Sequence, residues 1–222
     1  MAQQYIPGYS EEKLQRRHVQ GRVVVIDDDP DVLAALAAVL EHSGYACETY
    51  QSALAYLHAL SSNHSCLPGP VCILCDVKMP EIDGLALQRL IATRIDIPLL
   101  MMSGSSNAKD VVEAFRYGIV DFLIKPFDND DLLAAVAKAI NISAERQARQ
   151  QANVELLRRM ATLTKRESEV ARRVAAGQIS RVIAADLGIG LRTVKLYRQR
   201  MMEKLGVETV EEFLRIADVI TR

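Results

Sequence analysis

Five apolar runs of strand length, near residues 22–27, 45–50, 71–76, 97–102 and 120–124, alternate with helix-period patterns near 30–42, 53–60, 84–94, 107–117 and 129–149. That alternation leaves few folds open. Strands joined by crossovers long enough to hold a helix pair in parallel, and the helices must cover both faces of the sheet. The expected class is α/β, a five-stranded doubly wound parallel sheet of strand order 2-1-3-4-5. Local signals agree with it. Asp29 before Pro30 reads as an N-cap followed by proline in the first turn. Ser52 caps the second helix, and Leu54, Leu57 and Leu60 trace its buried stripe.

Four of the runs end in polar residues. Asp27 and Asp28 follow VVVI, Asp76 follows VCILC, Ser103 follows IPLLMM, and Lys125-Pro126 follows DFLI. In a parallel sheet these ends lie side by side, and ligands bind beyond them at the switch point between the first and third strands. Asp27, Asp28 and Asp76 belong there. A charge that directly ends an apolar strand requires a partner. Three neighbouring carboxylates repel unless a cation joins them, and Mg²⁺ takes oxygen ligands of this kind. An aspartate nucleophile needs the charge of an incoming phosphoryl group offset, which a divalent cation and a lysine achieve. The set is suited to holding such a cation and accepting a phosphoryl group on an aspartate, with Ser103 near enough to sense it.

The net charge of −1 hides a division. Residues 1–150 hold 13 Lys+Arg against 19 Asp+Glu, whereas residues 151–222 hold 14 against 9. The acidic body and basic tail point to a polyanion partner for the tail. The longest stretch without Asp, Glu, Lys or Arg, Thr49 to Cys75, contains Gln51, His58, Asn63, His64, Pro68 and Gly69, so no membrane span is expected. Without a secretory opening pattern the chain reads as cytoplasmic. Of the four cysteines, Cys47, Cys66, Cys72 and Cys75, the C-x-x-C pair falls in a strand, where residues three apart face opposite ways. Reduced, buried thiols are expected rather than a metal site.

Residues 1–21 form a polar extension, with Glu11–Gln20 a candidate short helix. Residues 141–159, rich in Gln, Ala, Arg and Glu, continue the fifth helix as a helical linker with pairing potential toward a second chain. Residues 160–222 read as an all-α four-helix domain. Thr164 and Glu167 form a capping box, and helices follow near 165–176, 180–187, 191–205 and 209–220. Gly177 ends the first, and the tight turn Gly188-Ile189-Gly190 makes the next two a helix-turn-helix. On a helical wheel Val194, Tyr197, Met201 and Leu205 share the inward face of the third helix. Arg192, Lys195, Leu196, Gln199 and Glu203 lie opposite, a face suited to a major groove. Arg198, Arg200 and Lys204 flank it, where phosphates would lie.

Residues 22–140 resemble the receiver domain of bacterial two-component response regulators, which has a flavodoxin-like fold. The match runs through VVVIDDDPDV, CDVKMPEIDG, MMSGSS and DFLIKPF. The resemblance implies that Asp76 is phosphorylated by a cognate histidine kinase. It implies that Asp28, Asp76 and the backbone carbonyl of Lys78 ligate Mg²⁺ (or Mn²⁺), with Asp27 acting mainly through water. Lys125 would pair with the phosphoryl group, Ser103 and Phe122 would be the switch hydroxyl and switch aromatic, and the Lys125–Pro126 bond would be cis. Met79-Pro80 and Gly84 fit the loop after the aspartate. Residues 160–222 resemble the LuxR-type helix-turn-helix in LTKRESEVARRVAAG, IAADLGI and RTVKLYRQRMMEKLGV. The order of the two is that of the FixJ/NarL family. By that match Lys195, Leu196 and Gln199 contact bases, with Arg192, Thr193, Arg200 and Lys204 completing the DNA-binding set. The chain departs from the family at Gly190-Leu191, where Ser-Pro is common, at Tyr197 in place of a frequent histidine, and at Val182 in place of a frequent glutamate. These departures bear on helix capping and target sequence.

The expected function is therefore a phosphorylation-switched transcription factor, a homodimer when active, binding a palindromic promoter site. It would be no enzyme beyond accepting its own phosphoryl group and hydrolysing the aspartyl phosphate. Two rivals stand beside it. One is a phosphorylation-independent dimeric DNA-binding regulator. The other is a Mg-dependent phosphohydrolase, because Asp27-Asp28-Asp29 is similar to the strand end of haloacid-dehalogenase-type enzymes, although those expect Thr or Val where this chain has Asp31.

Overall fold

A computed structural model of the protein describes residues 20–62, 69–92, 95–104 and 108–220. Cys66 and the candidate helix within the N-terminal extension lie outside the described residues, apart from Gln20. The chain divides into two compact units, residues 1–147 and 148–222.

In the first unit β1 (Arg22–Ile26), β2 (Ala46–Tyr50), β3 (Val71–Asp76), β4 (Leu99–Ser103) and β5 (Asp121–Ile124) form one sheet of order β2-β1-β3-β4-β5. All four pairings are parallel. The helices are α1 (Pro30–His42), α2 (Ala53–Ser61), α3 (Gly84–Ile91), α4 (Ala108–Arg116) and α5 (Asn129–Ala161). Strand alternation splits the core in two. Val23, Val25, Cys72 and Leu74 face α1 and α5, while Val24, Ile26, Ile73 and Cys75 face α2, α3 and α4. Cys72 and Cys75 thus lie on opposite faces and share no ligand. Burial pushes the Cys47 and Cys72 thiols up to about 12, so both stay protonated.

Asp29 caps α1 by accepting from the N–H groups of Asp31 and Val32, and Ser52 caps α2 through Ala55. The stripe of α2 differs from the expected one. Ala53 and Tyr56 are its buried residues, Leu57 and Leu60 are half-buried and Leu54 is exposed. Tyr56 takes the central place because its ring packs edge-on against Tyr50 of β2, with centroids 5.4 Å apart.

α5 runs on through residues 141–159 as expected and ends at Ala161. Ser143 is buried and accepts the Val71 N–H, Gln147 donates to the Gly69 carbonyl, and Arg146 pairs with Asp96. These polar contacts tie the helix to the first unit well beyond residue 140. At its other end Leu156 and Met160 pack onto the core of the second unit. The stretch free of both cores is shorter than the 141–159 linker read from composition.

The second unit packs α6 (Lys165–Ala175), α7 (Ser180–Leu187), α8 (Leu191–Leu205) and α9 (Val210–Ile220) around Val170, Val174, Ile183, Val194, Met201, Leu205 and Phe213. The turn between α7 and α8 opens with Gly188 at φ 64°, a left-handed conformation that favours glycine. No helix among the described residues is long and apolar enough to cross a membrane.

Candidate functional site

The carboxyl ends of β1, β3 and β5 bring three charges together. Lys125 Nζ stands 2.7 Å from Asp27 Oδ2 and 2.6 Å from Asp76 Oδ1, joining residues 98 and 49 positions apart in the chain. Asp27 and Asp76 are buried, so each carboxylate needs the partners it has. The second Asp27 oxygen accepts the Asp29 N–H, and the second Asp76 oxygen accepts the Lys78 N–H. Burial pulls the Lys125 ammonium down, but its hydrogen bonds to Asp27 and Asp76 outweigh burial and raise it.

The third carboxylate is not part of this clamp. Asp28 is exposed, because two residues beyond β1 the chain has left the sheet on its way to the α1 cap. Among the described residues no three Asp, Glu, His or Cys side chains stand together as a metal cage. The expected convergence of three carboxylates is thus two carboxylates around a lysine, with a third at the mouth. The donor chemistry still fits a hard divalent cation. Asp27, Asp28 and Asp76 carry three negative charges against one on Lys125, and every donor is oxygen.

The loop after Asp76 is shaped to press a helix onto the site. Glu81 has φ 66°, and the Ile82 N–H closes a tight turn on the Pro80 carbonyl at 2.7 Å. Such a conformation in a non-glycine residue costs about 1–3 kcal/mol. The turn delivers Asp83 as the α3 cap, accepting the Ala86 N–H at 2.6 Å. Gly84 then donates to the Val77 carbonyl at 2.9 Å, and a Cβ on it would collide with the backbone carbonyl of Asp76. Glycine is required by close approach.

Ser103 ends β4, buried, and its carbonyl accepts the Lys125 N–H at 2.7 Å. That bond ties the lysine's backbone to the strand carrying the serine. The Lys125–Pro126 peptide is cis. Phe122 is half-buried against the core on the α2–α4 side, and Ile124, two residues along the same face of β5, is exposed.

In the second unit α8 buries Val194, Met201 and Leu205 and exposes Arg192, Lys195, Leu196, Gln199 and Arg200. Arg192, Thr193, Lys195, Leu196 and Gln199 line one shallow concavity on its outer side. The Gln199 amide donates to Glu203 at 2.8 Å, one turn on. Two flanking cations are committed elsewhere. Arg198 donates to Ser180 Oγ, and Lys204 pairs with buried Glu167 at 2.6 Å and also donates to the Thr162 carbonyl. Lys204 therefore faces inward, contrary to the phosphate-contacting place read from the wheel. A buried carboxylate without a counter-charge costs far more than a surface lysine gains at a phosphate.

Residues 23–137 match the response regulator receiver domain family, and residues 161–217 match the bacterial regulatory proteins of the luxR family. The chain is a response regulator. It is similar to the transcriptional regulatory protein FixJ of Azorhizobium caulinodans, 38% identical over 88% of this chain and 90% of the relative. It is also similar to the response regulator protein TodT of Pseudomonas putida, at 31% over 91% and 88%. Among solved structures it resembles the response regulator StyR, with 29% identity and a TM-score of 0.74 over 89% of this chain and 98% of that one. Full-length FixJ from B. japonicum aligns with 32% identity and a TM-score of 0.53 over 90% and 97%. A receiver domain and a LuxR-type DNA-binding domain on one chain make this response regulator a transcription factor.

Two contacts that hold the carboxyl-terminal end of α8 had no local signal. Arg159, at the end of α5, donates to the Leu205 carbonyl at the last turn of α8. Lys204 and Glu167 are 37 positions apart. The capping-box spacing flagged Glu167, but nothing in the sequence marked a second role for it.

Proposed function

We propose that the regulator accepts a phosphoryl group on Asp76 from a partner histidine kinase, and that this controls sequence-specific DNA binding through α8. The observation that carries the reading is the Lys125 ammonium held between Asp27 and Asp76 at three strand ends. A cationic group already sits where negative charge would grow. Asp27, Asp28, Asp76 and the Lys78 carbonyl would hold Mg²⁺ or Mn²⁺, which supplies further charge neutralisation during transfer. A carboxylate oxygen of Asp76 attacks the phosphorus of the kinase's phosphohistidine as the phosphorus–nitrogen bond breaks and the imidazole leaves; Lys125 pairs with the phosphoryl oxygens, and Ser103 turns its hydroxyl toward them. The resulting shift biases α4 and β5 between two arrangements, with Phe122 turning inward in one. The same site hydrolyses the aspartyl phosphate, which resets it.

The altered face favours a homodimer, which sets two copies of α8 on a palindromic site. Lys195, Leu196 and Gln199 read base edges there, with Arg192, Thr193 and Arg200 at the backbone. Gln199 leaves Glu203 to do so. Such a regulator works in the cytoplasm, where promoter DNA and the kinase's catalytic end meet. Incubation with acetyl phosphate and Mg²⁺ should add one phosphoryl mass to the wild type and none to Asp76→Asn. Labelling that persists in the variant would overturn the assignment.

A further inference from the structure

Helix α4, one of the two elements proposed to shift, is held to its neighbour by a thin and mostly polar seam. Among its described side chains Ala114 is the buried one, while Val112 and Phe115 face outward. A helix with so little apolar anchorage owes its position to its polar contacts. Two consecutive residues of α3 supply them. Gln88 Nε2 donates to the Ala114 carbonyl at 3.2 Å. Arg89 pairs with Glu113 at 2.6 Å and lies over the Tyr117 ring, 5.8 Å from its centroid. One guanidinium thereby grips both the last turn of α4 and the residue just beyond it.

Gln88 is an unusual occupant of this seam. It is 3% exposed, and its Oε1 has no hydrogen-bond partner among the described residues. An enclosed polar atom without a partner disfavours the arrangement that encloses it. The Ala114 carbonyl does not depend on Gln88, since it also accepts the Tyr117 N–H at 3.1 Å. The amide therefore brings a cost to this arrangement that an apolar side chain of similar length would not.

We propose that Gln88 and Arg89 form a two-part latch on α4: Arg89 holds the helix in its resting position, and Gln88 keeps that position marginal. Movement of α4 away from α3 gives Gln88 Oε1 access to solvent and ends its cost, while it parts Arg89 from Glu113 and Tyr117. The two side chains act in opposite senses on one equilibrium, which keeps the resting state close enough in energy for a single phosphoryl group to overturn it. Both are positioning residues, remote from Asp76. The inference rests on the phosphorylation reading above and names how its moving element is restrained.

The test uses the full-length protein with a duplex selected from a randomised pool by the wild type. DNA affinity is measured with and without acetyl phosphate and Mg²⁺, and Asp76 labelling is followed by mass. Arg89→Ala should raise the affinity of the unphosphorylated protein about fivefold and shrink the phosphorylation response, with labelling still present. Arg89→Lys, which keeps a charge for Glu113 but not the planar stack, should fall between. Gln88→Met should lower the unphosphorylated affinity and widen the response by a similar factor. A purely structural role would move thermal stability and leave the ratio of the two affinities alone. An unchanged ratio in both Arg89→Ala and Gln88→Met, or shifts of the same sign, would overturn the latch while Asp76 chemistry stood. A wild type that takes no label, or whose DNA affinity ignores the label, would overturn the phosphorylation reading and the latch with it.

Discussion

The proposed phosphoryl-accepting site and the proposed DNA-reading face of this regulator are assembled in opposite ways. The first collects Asp27, Asp76, Ser103 and Lys125 from four strands, and its central lysine bridges residues 98 and 49 positions away. The second places Arg192, Lys195, Leu196, Gln199 and Arg200 within three turns of α8. Charges of the first site are buried and mutually satisfied, so they depend on the sheet being intact. Those of the second are exposed and await a partner. What the helix takes from its surroundings is position: Glu167, Lys204 and Arg159 fix its carboxyl-terminal end. A gathered site fails when its scaffold moves, whereas a displayed site fails by losing single contacts.

The sharpest way to break that contrast is at Gly84. Gly84→Ala drives a Cβ into the Asp76 carbonyl, backbone against backbone. We expect a loss of about 2–3 kcal/mol in the receiver, read by denaturant melting, together with impaired labelling of Asp76. The second unit should keep its own stability, and a variant as stable and as readily labelled as wild type would show that the close approach is dispensable.

Glu167 tests the dependence of the displayed site on its support. Glu167→Ala removes the partner of Lys204 and half of the capping box, for an expected cost of about 2 kcal/mol in the second unit. Glu167 and Lys125 give the two units opposite pH limits. The hydrogen bond from Lys204, then that from the Thr164 N–H, hold Glu167 below the ordinary 4.5, so its contribution is complete above that value and is lost as pH falls through the lowered one. Lys125 is held above 10.5, so its contribution is complete below that value and is lost as pH rises through the raised one. Thermal melts should therefore show the second unit weakening in acid and the receiver in alkali. Glu167→Gln should flatten the acid limb, and an acid limb unaltered by that change would assign it to other groups.

A smaller effect separates two neighbouring cations. Arg200→Ala should lower DNA affinity and reduce the salt slope by about one, with stability unaltered. Lys204→Ala should chiefly cost stability, because its ammonium is engaged by Glu167. Equal effects on the salt slope would return Lys204 to the DNA face. The smallest expected change is a gain. The α7 N-cap, Ile179, is exposed and makes no side-chain cap. Ile179→Ser should stabilise the second unit by about 0.5–1 kcal/mol in a denaturant melt.

Much of this was legible in the chain. Five apolar runs of strand length, alternating with patterns of period 3.6 in helix-length crossovers, admit essentially one sheet. The observed order β2-β1-β3-β4-β5 is the expected one. The strand-end residues were legible because charge after an apolar run is conspicuous. The inward face of α8 was legible because a helix carries its own geometry. The exposure of Asp28 and the partner of Lys204 were not, since burial and pairing depend on where other elements pass. Asp28 differs from Asp27 by one step out of the sheet, and Lys204 meets a carboxylate 37 positions away.

Local periodicity and strand-end chemistry, which operate within a few residues, thus determined by themselves the two domain types, the sheet and the residues proposed to accept the phosphoryl group and to face DNA. Only the tertiary structure decided which charges are spent on one another: Lys125 on two aspartates, Lys204 on Glu167, Arg89 on Glu113 and Tyr117. The physical reason is that burial sets the value of a charge, and burial is created by chain segments that no local pattern brings together.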